Sequence, residues 1–142
     1  MRTLIRFFFR GVRLALAPVM VLYDLVKAPT PIERPAAEQQ RVDEATRALK
    51  LYQFRTCPFC IKTRHAIRRL ALNIELRDAQ HDPVSREELL RGGGQVKVPC
   101  LRIAEADGAV RWMYESSEIN AYLERRFGPE SAHAAPSRNA AP

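Results

Sequence analysis

The sequence predicts an α/β fold: a four-stranded mixed sheet flanked by helices, plus an N-terminal helical extension. Three observations predict it. Strand-like and helix-like patterns follow one another in the order β-α-β-α-β-β-α over residues 49–127. A Cys-x-x-Cys stands where the first strand pattern gives way to a helix pattern. A Gly-Gly-Gly stop and an Asp-Gly turn then punctuate the second half of the chain.

Residues 2–27 read as one long helix. At about 100° per residue, Arg2, Arg6, Arg10, Arg13, Asp24 and Lys27 fall within an arc of about 100°. The remaining surface is almost wholly apolar. Such a basic amphipathic helix suits an anionic membrane surface, with aromatics down and arginines among headgroups. That reading places the protein in the cytoplasm, peripheral on the membrane face. A spanning helix would need about 20 apolar residues, and the longest uncharged run is Leu14–Tyr23, interrupted by Pro18. A single-span anchor, an arginine-rich organellar targeting segment, and an apolar helix packed on this domain or a partner stand as alternatives. A secretory signal fits less well, because arginines invade the apolar region.

Charge supports the same division. The net charge is +7, and residues 1–35 carry +4 of it, six cations against Asp24 and Glu33. The basic excess thus belongs mainly to the N-terminal segment. No basic stripe interleaved with aromatics marks the rest, so no nucleic-acid partner is expected.

Residues 28–35 are proline-punctuated and read as a stiff linker. Residues 36–48 read as a short helix with Val42, Ala45 and Leu49 inward, so 28–48 lead into the domain. Leu49–Phe54 is the first strand. Pro58–Ala71 is a helix, with Phe59, Ala66, Ile67 and Leu70 at helical spacing. Asn73–Arg77 is a strand with Ile74 and Leu76 alternating, and Val84–Arg91 a helix stopped by Gly92-Gly93-Gly94. Val98–Ile103 and Val110–Tyr114 form a hairpin around Asp107-Gly108. Ser116–Phe127 is the last helix, with Ser116 or Ser117 as cap and Gly128-Pro129 as stop. The domain therefore runs over 49–128, and the polar, Ala/Pro-rich residues 129–142 are expected to be disordered. Strands joined through a helix should be parallel, by a right-handed crossover. This is the minimal thioredoxin-like arrangement.

Three cysteines do not suit a secreted disulfide framework, whereas one Cys-x-x-Cys beside βαβ patterning suits a redox motif in a reducing compartment. Pro58 fits the first helical turn, where a missing N–H costs nothing. Cys57 then lies among orphan amides at the positive end of the helix, which favours thiolate. Arg55, Lys62 or Arg64 would add to this if directed there. Cys60, one turn on and less exposed, is placed to attack a mixed disulfide on Cys57. A structural zinc site needs four ligands, and no second pair accompanies Cys57 and Cys60. No metal is expected. Two inert buried cysteines are the remaining alternative.

Two further features share the pattern. Pro99, opening a strand after a glycine-rich loop, is a natural place for a cis bond, and the backbone of Val98 could pair with a peptide-like ligand. An ordinary trans proline is the plainer alternative. At Ser116 and Ser117 the last helix begins, with free amides suited to a carboxylate. Plain N-capping explains the serines equally well.

The run Leu51–Cys60 resembles the start of glutaredoxins, especially those close to glutathione transferase N-terminal domains. Val98-Pro99 resembles their Val-cisPro element. Glu115–Ile119, followed by Tyr122-Leu123, resembles the segment that binds the γ-glutamyl end of glutathione. The resemblance covers residues 49–127 and implies reduction of mixed and protein disulfides, with glutathione as reductant and disulfide-containing proteins as partners. It implies that Cys57 is the nucleophile, Cys60 the resolving thiol, and that Val98 pairs with the cysteinyl backbone of glutathione. Ser116 and Ser117 would hold the γ-glutamyl carboxylate, and Arg55 or Lys97 the glycyl carboxylate. Cys100 departs from the pattern. As the residue after the proline it should point away from the site, as a buried thiol. The chain ends before a transferase-type helical domain, so a full glutathione transferase is not expected. A module that binds glutathione or a [2Fe–2S] cluster without turnover, and a membrane adaptor with a vestigial site, are the competing functions.

Overall fold

The computed structural model describes residues 2–130. The expected tail therefore lies, from residue 131 onward, outside the described residues. The elements are α1 (Arg2–Val26), α2 (Ala36–Thr46), β1 (Leu49–Gln53), α3 (Pro58–Arg69), β2 (Glu75–Asp78), α4 (Pro83–Gly93), β3 (Cys100–Ala104), β4 (Val110–Tyr114) and α5 (Ser116–Phe127). The four strands form one sheet in the order β2-β1-β3-β4. β1 and β2 are parallel, and β3 is antiparallel to both β1 and β4. The predicted mixed sheet, flanked by helices and preceded by a helical extension, is the observed architecture.

Alternation along the strands sorts side chains between two cores. Leu49 and Leu51 point, with Leu101 and Ile103, toward Ile67 and Leu70 of α3 and Ile119, Leu123 and Phe127 of α5. Tyr52 and Cys100 point the other way, toward Leu89 of α4, with Trp112 and Tyr114 packed alongside. Val42 and Ala45 of α2 are partly buried against the first core, as their spacing suggested.

Several local expectations change. α4 begins one residue earlier than its apolar pattern, because Asp82 caps it by accepting from the Val84 and Ser85 amides, both at 3.1 Å, with Pro83 in the first turn. It also runs through Gly92 and Gly93, and only Gly94, at φ 82°, ends it in the left-handed conformation. Phe59 is 63% exposed instead of inward, while Cys60, Ile61 and Thr63 are buried. Leu76 is exposed and Ile74 buried, the strand starting only at Glu75.

The segment between α1 and α2 is bound to the domain. The Ile32 amide donates to the Arg69 carbonyl at 2.9 Å. The buried Arg34 guanidinium donates to the carbonyls of Leu70 and Phe127, each at 2.6 Å, satisfying the C-terminal ends of α3 and α5 together. α1 therefore starts its contact with the domain at the end of α3 remote from Cys57 and lies back along α3, antiparallel to it. Asp24 holds this course, its carboxylate accepting from Arg64 at 2.5 Å and approaching His65 at 2.8 Å, while Tyr23 stacks on the His65 ring. No helix among the described residues is both long and apolar enough to cross a membrane.

Candidate active site

Strand register brings the three chemistry-bearing segments to one end of the sheet. Tyr52 stands opposite Cys100, and Cys100 opposite Tyr114. Continuing both antiparallel registers by two residues sets Phe54 opposite Val98 and Val98 opposite Ser116. The loop carrying Cys57, the Val98-Pro99 corner and the start of α5 are thus neighbours in that order. Phe54 and Val98 pack in the same apolar cluster.

Cys57 is the N-cap of α3, with φ −74° and ψ 124°, and its carbonyl accepts the first helical bond from the Ile61 amide at 2.9 Å. Its own amide donates to the Phe54 carbonyl at 3.3 Å, which tightens the turn out of β1. No side chain caps the helix, so its first amides remain oriented about Cys57. Cys57 is half-buried and Cys60 fully buried, and both are free thiols. Burial pushes the Cys60 thiol up to about 12, the nearby Cys57 sulfur adds to the rise, and a backbone hydrogen bond at Phe54 opposes it. Cys60 is therefore held as a protonated thiol beside the more accessible sulfur. Arg64, which was expected to assist Cys57 if turned that way, is engaged by Asp24 and by the Arg55 carbonyl, the latter at 2.9 Å.

The Val98–Pro99 peptide bond is cis. Lys97 is paired with the Glu115 carboxylate across the same corner. Glu115 sits at φ 69° and is the N-cap of α5, without a side-chain capping bond. Neither Ser116 nor Ser117 caps the helix, contrary to the plainer reading of these serines. Ser116 is buried at the first helical position and Ser117 is exposed. A non-glycine residue held at positive φ is a strained feature of the kind found beside ligand sites.

Arg55 is exposed at the rim of a cleft of about 500 Å³ that it shares with Arg10 and Arg13 of α1 and with Thr56. Among the described residues none of these three guanidiniums makes an ion pair, so the cleft is cationic. Cys100 is buried, as expected for the residue after the proline; burial raises its thiol to about 11, with the Tyr114 hydroxyl opposing. Among the described residues no group of three or more His, Cys, Asp or Glu is placed to hold a metal ion.

Sequence reasoning did not anticipate that α1 itself borders the site. Phe9, Val12, Leu16 and Met20 face Phe54 and Pro58 across a cleft of about 470 Å³ that reaches Cys57. One signal was present: Asp24 is the sole carboxylate in an otherwise basic and apolar helix.

The family model of the glutathione S-transferase N-terminal domain matches residues 51–131. A solved structure similar to the chain is that of maleylacetoacetate isomerase from Anaeromyxobacter dehalogenans 2CP-1, at 26% identity and a TM-score of 0.43. The match covers 58% of this chain and 37% of that one, so the chain spans well under two thirds of the isomerase. No curated protein matches.

Proposed function

The chain belongs to the glutathione S-transferase N-terminal domain family, and from that premise we propose that it is a glutaredoxin-type, glutathione-dependent thiol–disulfide oxidoreductase held at an anionic membrane surface. The observation that carries the reading is the placement of Cys57 as an uncapped helix N-terminus, beside Val98-Pro99 and a second uncapped helix N-terminus at Ser116. Each feature alone has a structural explanation. Together, on three adjacent loops, they make a nucleophile, an edge for an extended ligand and a carboxylate site.

Dimensions support glutathione as that ligand. One loop follows β1, one precedes β3 and one follows β4, so the outer two are separated by two inter-strand spacings, about 10 Å. An extended tripeptide reaches about 10–11 Å. Among the described residues the Val98 backbone N–H and C=O make no hydrogen bond and are free to pair with the cysteinyl unit. Amides of Ser116 and Ser117 would receive the γ-glutamyl carboxylate. For the glycyl carboxylate, the unpaired Arg55 suits better than Lys97, which Glu115 already neutralises.

Cys57 Sγ attacks the glutathionyl sulfur of a mixed disulfide. The new S–S bond joins Cys57 to glutathione, and the other thiol leaves as thiolate and takes a proton from water. A second glutathione thiolate then attacks the glutathionyl sulfur, releasing glutathione disulfide and returning Cys57 to thiolate. On the other route Cys60, after losing its proton, attacks Cys57 Sγ, releasing glutathione and leaving a Cys57–Cys60 disulfide that two further glutathiones reduce to two thiols, with release of glutathione disulfide. The high-lying Cys60 thiol favours the route through the second glutathione for small substrates.

Attachment to the membrane rests on α1. Leu4, Phe7, Phe8, Leu14, Leu22 and Leu25 are all exposed and fall within an arc of about 120°, on the side opposite the Cys57 cleft. Arg10, about 40° from one edge of that arc, borders both the arc and the cationic cleft and is the cation that an anionic headgroup would meet.

Glutathione-dependent turnover of a small mixed disulfide tests the reading. The wild-type chain should be active, Cys57→Ser should lose activity by a factor of about 100 or more, as loss of a nucleophile does, and Cys60→Ser should remain active. An inactive but folded and reduced wild type would sink the proposal and favour a binding module or adaptor.

A further inference from the structure

We propose that the cleft between α1 and Cys57 receives the apolar substituent of the thiol that Cys57 releases, so that the preferred substrates are glutathione mixed disulfides of apolar, bilayer-partitioning thiols. This rests on the oxidoreductase reading and goes beyond it by naming the substrate's other half.

The lining chooses the chemistry. Phe9, Val12, Leu16 and Met20 form one wall, Phe54 and Pro58 the other, and among the described residues that line it Arg13, at one edge, is the one cation. Its volume, about 470 Å³, lies within the roughly 300–1,000 Å³ of small-molecule sites. A peptide segment would bring N–H and C=O groups against walls with almost nothing to bond them. An alkyl or aryl chain brings none. A second apolar space of about 680 Å³ continues along α3 past Pro58, Met20 and Phe59. Phe59, an aromatic left 63% exposed two residues from the nucleophile, is accounted for as its floor.

The wall is also the membrane-facing element. α1 presents the cleft on one side and its bare apolar arc on the other, so the cleft lies about one helix diameter, roughly 10 Å, from the surface that α1 binds. A thiol partitioned into that interface reaches Cys57 without crossing bulk water.

In the reaction, Cys57 thiolate displaces R–S⁻ from G–S–S–R and becomes glutathionylated. R–S⁻ is protonated by water, and a glutathione thiolate then releases oxidised glutathione and restores Cys57. The net change is one mixed disulfide and one glutathione converted to one apolar thiol and one glutathione disulfide.

The test uses the full chain and glutathione mixed disulfides of ethane-, butane- and hexanethiol, whose leaving groups differ in length but little in acidity. kcat/KM should rise about tenfold or more from ethyl to hexyl, since each added methylene gains burial. Val12→Ser and Leu16→Ser should each cut the hexyl-to-ethyl ratio about threefold or more. Val26→Ser, exposed at the far end of α1, should keep the wild-type ratio. Turnover that is flat with chain length, or a ratio altered equally by all three variants, would overturn this inference and leave the oxidoreductase reading standing. Absence of turnover on every member would overturn both.

Discussion

A methyl group added at Gly92 would lie 2.0 Å from the Trp112 ring, and one at Gly93 the same distance from the Tyr114 hydroxyl. These glycines are present because β4 side chains press on the last turn of α4. Gly92→Ala should therefore cost about 1–3 kcal/mol by overpacking, read as a lowered urea midpoint at unchanged slope. The sequence shows the three glycines but not the reason for them, since Trp112 lies twenty positions on. The placement of Cys57 at a helix start, by contrast, was legible because its signal is local: a strand end, a proline and a helix pattern are consecutive. Lys97 was half legible. Its position beside the site could be read, but its engagement by Glu115 depends on a corner closed by tertiary structure. Phe59 misled because helical spacing says which face a residue takes and not what lies opposite. In the first turn of α3 that neighbour is α1 and its open cleft.

At the level of elements, the least legible relation was the course of α1. Its helical periodicity and charge arc are plain in the sequence, yet nothing local says that it lies along α3. That follows from Asp24 meeting Arg64 and His65 and from the Arg34 clamp at the far end. Burial alone would raise the Asp24 carboxyl, but the Arg64 guanidinium and then His65 hold it below its ordinary 3.8. A carboxyl held low in the docked state contributes fully above its free value and loses that contribution as pH falls through the lowered one. Docking of α1 should thus persist at neutral pH and loosen only in acid below 3.8. Asp24→Asn should reproduce the loosening at pH 7. Hydrogen exchange should quicken about tenfold in residues 9–23, as for an element whose anchoring ion pair is lost, while β1 and β3 remain protected. Equal protection in wild type and variant would assign the docking to apolar contacts alone.

For the molecule as a whole, the fold was legible because each local pattern agrees with the sheet it builds. The alternating strands, the Asp107-Gly108 turn and the apolar stripes of α3 and α5 all specify one topology. What the sequence left open was which side of α1 the domain covers. The structure turns the cationic and mixed side of α1 toward the domain and leaves a bare apolar arc outward. With Arg10 at the edge of that arc, the proposed membrane attachment predicts that the full chain sediments with anionic vesicles and less with neutral ones. It should be partly released when salt shortens screening from about 10 Å at 0.1 M to about 3 Å at 1 M. Removal of residues 1–27 should abolish the association, and binding that survives this deletion would place the membrane contact elsewhere.

The central claim is that Cys57 is the sulfur that accepts glutathione, and one measurement addresses it directly. The reduced full chain carrying Cys60→Ser is mixed with oxidised glutathione, digested without reductant and mapped by mass spectrometry. One glutathionyl group on Cys57, with none on the buried Cys100, is the expected result. Modification of Cys100 first, or of neither cysteine in a folded chain, would contradict the assignment of Cys57 as the nucleophile.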